Sequence, residues 1–191
     1  MASTGSLSTP TTGPSSADPE AFRPGIFGGL ILLRSLPGLA AIALSLQGRL
    51  WAAGAFLVLA VWADVALGWL ASRRKWEKGN SQKQIEGFVD FLCFLWAPVQ
   101  FAVALCPHPA LWALVPVFIL AGAFRLARFN VEGLVGGRYR GLPVTYNGYL
   151  FPLAALASHY LSPRATPFIF GGLFLLLALL MASSVLRIPE A

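Results

Sequence analysis

Charge is what this sequence has least of: Asp, Glu, Lys and Arg make up 12% of its 191 residues, about half of the roughly 25% found in a soluble domain. That scarcity excludes an ordinary water-facing surface. Cysteine is nearly missing as well. Cys93 and Cys106, the two present, lie in or at the end of one apolar block with no partner pattern, which excludes a disulfide framework and a thiolate metal site; both read as lipid-facing or packing residues. Strict alternation of apolar and polar positions is absent, which excludes a transmembrane barrel. What the chain has instead is long apolar blocks without a polar face, with 57% hydrophobic residues and a mean hydropathy of +0.68. Such blocks are the signature of membrane-spanning helices. The formal charge of +6 is carried mostly by short segments between the blocks. It therefore reads as positive-inside topology and not as a nucleic-acid surface.

Residues 1 to 25 form a tail. Of the first 20 residues, 14 are Ser, Thr, Pro or Gly, too little apolar surface to offset ordering entropy, and disorder is expected there. The first basic residue is Arg23, so the tail lacks the basic start of a cleaved secretory signal. Residues 26 to 188 are expected to form one all-α, polytopic transmembrane domain of six helices, near 28–47, 50–71, 85–106, 110–129, 143–160 and 167–187. Each is close to the ~20 residues that cross a bilayer. Arg34 and Pro37 interrupt the first. Its opening stretch, 21–35, is read alternatively as an interfacial segment with Arg34 reaching the headgroups.

Orientation follows from the loops. With the N-terminus cytosolic, Arg23, Arg73, Arg74, Lys75, Lys78, Lys83, Arg125, Arg128, Arg138, Arg140 and Arg187 face the cytosol, against Arg49 and Arg164 outside. That bias places both termini in the cytosol. Pro107, Pro109, Pro163 and Pro167 mark external turns, His108 and His159 belong to the external side, and Trp51, Trp76 and Trp112 fit an aromatic belt.

Of the eight acidic residues, five lie in tails or loops and three, Asp64, Glu86 and Asp90, lie in or at the ends of apolar blocks. An ionised carboxylate in a span costs a few kcal/mol, so these three are candidate functional residues. Asp64 sits about two turns before the cytosolic end of the second span, and Glu86 and Asp90 open the third. All three are expected at similar depth. Glu86 and Asp90, four apart, share a helix face and repel unless a cation or proton intervenes; a hard divalent cation suits such a cluster. Gly68 and Ala71 give the second span a small surface open to close approach. The competing reading makes the acids interfacial partners of Arg73 or Lys83.

The stretch from Asp64 to Asp90 resembles the signature of the CDP-alcohol phosphatidyltransferase family, D-x-x-D-G-x-x-A-R followed by G-x-x-x-D-x-x-x-D. The matching residues are Asp64, Gly68, Ala71 and Asp90, while Leu67, Ser72, Gln82 and Glu86 stand where the pattern has Asp, Arg, Gly and Asp. Farther on, RLARFN at 125–130 followed by Gly141-Leu142-Pro143 is similar to the bacterial and archaeal phosphatidylserine synthase branch. The resemblance covers about residues 26–160 and implies a six-helix fold. It also implies a divalent metal, Mg²⁺ or Mn²⁺, on Asp64, Glu86 and Asp90, with Asp90 as general base, nucleotide or lipid phosphate near Gly68, Ala71 and Arg73, and a homodimer.

Arg125 and Arg128, three apart, are expected on one helix face, where guanidinium groups suit phosphate or carboxylate. The following loop sets Gly133, Gly136, Gly137 and Gly141 beside Arg138 and Arg140, so that backbone amides and both arginines could approach an acceptor or phosphate. The plainer reading makes these arginines positive-inside anchors and the glycines a flexible turn. Tyr146 and Asn147 are weaker candidates for the same cavity.

The implied reaction moves a phosphatidyl group from CDP-diacylglycerol to a small hydroxyl acceptor, serine first, releasing CMP, in a bacterial or archaeal cell membrane. Two alternatives remain open. One is a catalytically silent member that binds lipid or nucleotide or serves as a partner subunit; the other is the same chemistry with inositol phosphate, glycerol phosphate or choline.

Overall fold

The structure, a computed structural model, describes residues 25 to 74, 80 to 134 and 136 to 189. The expectation for the tail, and the basic positions Arg23, Lys75 and Lys78, lie outside those residues. The chain runs α1 (Gly25–Leu33), α2 (Leu36–Leu46), α3 (Leu50–Arg74), α4 (Asn80–Phe91), a π-helical turn (Leu92–Trp96), α5 (Ala97–Leu105), α6 (Pro109–Glu132), β1 (Arg138–Arg140), a 3-10 turn (Val144–Tyr146), α7 (Asn147–Tyr160), α8 (Thr166–Ala182) and β2 (Arg187–Pro189). The protein is helical apart from β1 and β2, which pair antiparallel with Tyr139 opposite Ile188. The all-α membrane character expected from the sequence holds, with this pair of three-residue strands as a small addition among the described residues.

Among the described residues, four helical stretches are long and apolar enough to cross a membrane: Gly28–Leu46, Leu50–Arg74, Gln82–Leu105 and Pro109–Glu132. The last two of the six expected spans come out shorter. Pro143 and the 3-10 turn delay the start of α7, which has 14 residues. The last helix stops at Ala182, after 17 residues, because the chain turns into β2. The outside of the bundle is apolar: Trp62, Trp69, Leu120, Phe124 and Leu179 are each more than half exposed. Water does not tolerate such a surface and hydrocarbon does, which fits an integral membrane protein.

Two interruptions shape the bundle. Between α1 and α2, the Ser35 hydroxyl donates to the Leu32 carbonyl at 2.6 Å, and Pro37 sits in the first turn of α2, where its missing N–H costs nothing. The second is the π turn before α5. Pro98 cannot donate to the carbonyl of Phe94, four residues earlier. The turn widens there, and the buried Asn147 side chain of α7 donates to that carbonyl at 2.8 Å. A helix break in one span is thereby closed by a polar side chain from another.

Close packing depends on glycine at the crossings. A Cβ at Gly38 would strike Cys93, one at Gly122 would strike Leu95, and one at Gly148 would strike Val61 and approach the Leu57 carbonyl to 3.1 Å. Small residues let membrane helices approach without a hydrophobic drive between them. Phe118, Phe151, Phe170 and Phe174 then fill the space among α6, α7 and α8, with ring centroids 5.1 Å apart for Phe118–Phe174 and 5.3 Å for Phe151–Phe174.

Candidate active site

Asp64 from α3 and Glu86 and Asp90 from α4 meet at one end of the bundle, and the group between them is Arg34. Its Nη1 pairs with Asp64, and its Nη2 donates to Asp90 Oδ1 at 2.8 Å and lies 3.9 Å from Glu86 Oε1. The Arg34 side chain is 4% exposed. Arg34 therefore does not reach the headgroups: the break at Ser35 and Pro37 turns it inward, onto the acids. The i, i+4 repulsion of Glu86 and Asp90 is met by a cation, and that cation is part of the chain. The sequence held a signal for it, because Arg34 is the basic residue set inside an apolar block while three acids lie in neighbouring ones, and charges in spans pair with one another.

Three carboxylates are hard oxygen donors, the chemistry of a divalent cation. Their arrangement is another matter. Asp64 and Asp90 pair with the guanidinium and Glu86 lies 3.9 Å from it, Leu67 offers no oxygen and packs against the core, and among the described residues no three His, Cys, Asp or Glu are placed to hold a metal ion. The residues as arranged do not fit the metal that the family resemblance implies.

Along α3, Asp64, Gly68 and Ala71 follow one face. Beyond a Cβ at Gly68 lies open space, while Ala71 is buried. Arg73 is exposed and lies over the Trp69 ring, 4.2 Å from its centroid.

Arg125, on α6, is 4% exposed. Its guanidinium carbon lies 5.2 Å from the Phe129 ring centroid and 5.6 Å from that of Tyr139, within electrostatic range of Asp90. Among the described residues no carboxylate stands at ion-pair distance from it, and its Nε has no hydrogen-bond partner. A buried cation whose partners among the described residues are two ring faces and a carboxylate beyond ion-pair distance has capacity for an anion. At the α4–α6 crossing, Gly87 leaves room for Asn130, whose Nδ2 would lie 2.9 Å from an added Cβ.

Arg128 does not share that environment, although it lies three residues away. Its Nη2 donates to the carbonyls of Arg140 at 2.8 Å, Ser183 at 3.0 Å and Met181 at 3.2 Å. The side chain caps α8 and ties its end to β1. Gly141, with φ +77°, passes so close that a Cβ would lie 2.6 Å from the Met181 carbonyl, and its N–H donates to the Leu186 carbonyl at 2.8 Å. Thus the second arginine of RLARFN and the glycine of Gly-Leu-Pro are parts of one clip. Arg140 pairs with Glu132 at 3.1 Å, and Arg138 is exposed. Tyr146 is 43% exposed, whereas Asn147 is fully buried in the helix repair described above.

At the other end, two adjoining cavities of about 320 Å³ each share Leu50, Trp51, Phe101 and Ala155. His159 borders one of them and stacks edge-on against Trp51 at 5.5 Å. Leu50 and Asp64 are 14 residues apart on one helix, about 21 Å, so these cavities are remote from the acids.

The chain is 30% identical over 161 residues to the archaetidylserine synthase of Methanothermobacter thermautotrophicus. The match covers 82% of this chain and 66% of the synthase, so the chain spans a little under two thirds of that relative's length. The similarity supports a CDP-alcohol phosphatidyltransferase-like relationship. No family model matches the chain. A membrane location and a relationship to a phospholipid-synthesis transferase thus rest on separate observations, the apolar helices and this similarity.

Proposed function

We propose that the chain is a CDP-alcohol phosphatidyltransferase that works at the cytosolic face of a cell membrane, moving a phosphatidyl group from CDP-diacylglycerol to a small hydroxyl acceptor, serine first. The acceptor oxygen attacks the phosphatidyl phosphorus, the bond to the CMP oxygen breaks, and the hydroxyl proton passes to Asp90. Such a transfer depends on positioning and on stabilising charge on the phosphoryl oxygens. In this reading Arg125 supplies that stabilising charge. The observation that carries this reading is its burial, within electrostatic range of Asp90, with no ion-pair partner among the described residues, because an unmatched cation in a span points to a ligand more than to stability. Gly68 leaves α3 open beside Asp64, room for a nucleotide or lipid phosphate.

The test is CMP release from CDP-diacylglycerol by purified protein in detergent, with serine, glycerol phosphate, inositol phosphate and choline as acceptors. Release that one acceptor stimulates and Asp90→Asn abolishes supports the proposal. A second reading has its own support: Leu67 is packed apolar and Arg34 occupies the acids, which favours a silent member that binds CDP-lipid without turnover. Binding of CDP-diacylglycerol with no CMP release from any acceptor would establish that reading instead.

A further inference from the structure

We propose that Arg34 is the resident cation of the acid cluster, a guanidinium that holds Asp64, Glu86 and Asp90 together where the resemblance would put a divalent metal. The proposal stands on the geometry of the cluster and not on the transferase reading, and either can fail alone. A guanidinium presents its N–H donors as a planar fork. Arg34 uses the two arms on different helices, Nη1 toward Asp64 of α3 and Nη2 toward Asp90 of α4, with Glu86 at 3.9 Å from the second arm. One side chain therefore cross-links two spans through charge-assisted hydrogen bonds. A divalent ion makes a different demand, six or more oxygens around a small centre, and Leu67 removes one of the candidate donors.

The placement is built into the backbone. The Ser35 hydroxyl bond to Leu32, the Pro37 start of α2 and the contact of Gly38 with Cys93 bring the break between α1 and α2 onto the π-helical turn that directly follows Asp90 and α4. Arg34 is buried on that break. Withdrawing it would leave the Asp64 and Asp90 carboxylates, on adjoining helices, without the cation that pairs them, an unfavourable state unless another cation replaced it.

The experiment uses the full chain in detergent, with Mn²⁺ binding followed by electron paramagnetic resonance and thermal unfolding measured in EDTA and in excess Mn²⁺. Wild-type protein is expected to hold no Mn²⁺ beyond what Asp64→Asn holds and to melt at one temperature in both conditions. Arg34→Gln is expected to melt lower in EDTA by on the order of 10 °C. It should acquire bound Mn²⁺ and regain part of the loss, as the Arg34→Gln/Asp64→Asn double variant should without metal. Stoichiometric Mn²⁺ in the wild type that Asp64→Asn removes would overturn the proposal. So would equal losses in the single and double variants, or an Arg34→Gln protein that melts like the wild type. If Arg34→Gln does not fold alone, recovery of the double variant supports the proposal and failure of both overturns it.

Discussion

Removing Asn147 tests whether the break before Pro98 is held by the bond to Phe94. Asn147 is fully buried, and its Nδ2 donates to the Phe94 carbonyl at 2.8 Å because Pro98 cannot. Leaving a buried acceptor unmatched costs about 1–3 kcal/mol in soluble proteins, whereas interhelical side-chain bonds in membranes average about 0.6 kcal/mol with a maximum near 1.7. The Asn147 Oδ1 has no partner among the described residues, so truncation also relieves one unsatisfied atom. The membrane figure therefore governs, and Asn147→Ala is expected to cost about 1 kcal/mol, a lowering of the melting temperature by about 2–4 °C for a chain of this size. The decisive comparison is the same substitution in a Pro98→Ala background. An alanine at 98 has an N–H that can close on Phe94, so the Asn147→Ala loss should shrink by half or more. Thermal unfolding of the four proteins in one detergent, followed by tryptophan fluorescence, gives the coupling directly. Equal losses in both backgrounds would refute the idea that Asn147 repairs the proline break.

Arg125→Leu separates stability from ligand binding: removing an unpaired buried cation should leave the melting temperature unchanged or raise it, while CDP-diacylglycerol affinity falls at least about tenfold, the scale of one charge-assisted bond. A lower melting temperature with intact affinity would show that Arg125 is structural. Gly38→Ala should destabilise by about 1–3 kcal/mol through overpacking, since the new Cβ meets both the side chain and the backbone of Cys93. Gly68→Ala meets open space and should be neutral or stabilising by up to about 1 kcal/mol from helix propensity; thermal unfolding of the pair checks both. Arg128→Ala frees the end of α8, and hydrogen exchange at residues 181–188 should quicken while exchange in α3 stays constant.

The membrane class of this chain was legible without coordinates, because its apolar blocks are long and charge is nearly excluded from them, a pattern that only the bilayer imposes. Helix lengths were less so. Whether 143–160 and 167–187 ran full length depended on Pro143, on the 3-10 turn and on the pairing of β1 with β2 across some 50 residues of chain, and hydropathy does not report hydrogen bonds between distant segments. The acids stood out as candidates because a carboxylate in a span is costly wherever it sits. Their partner did not: Arg34 had the length to snorkel or to turn inward, and the choice was made by the break at Ser35 and by the acids waiting on α3 and α4. Arg125 and Arg128 show the same division. Local spacing assigns them alike, three apart on one helix. The tertiary structure gives one to the carbonyls of α8 and leaves the other buried beneath two rings. Sequence by itself determined which groups are too expensive to bury without a reason; only the folded bundle, by bringing segments remote in the chain within hydrogen-bond reach, decided which of them satisfy one another and which is buried with no ion-pair partner among the described residues.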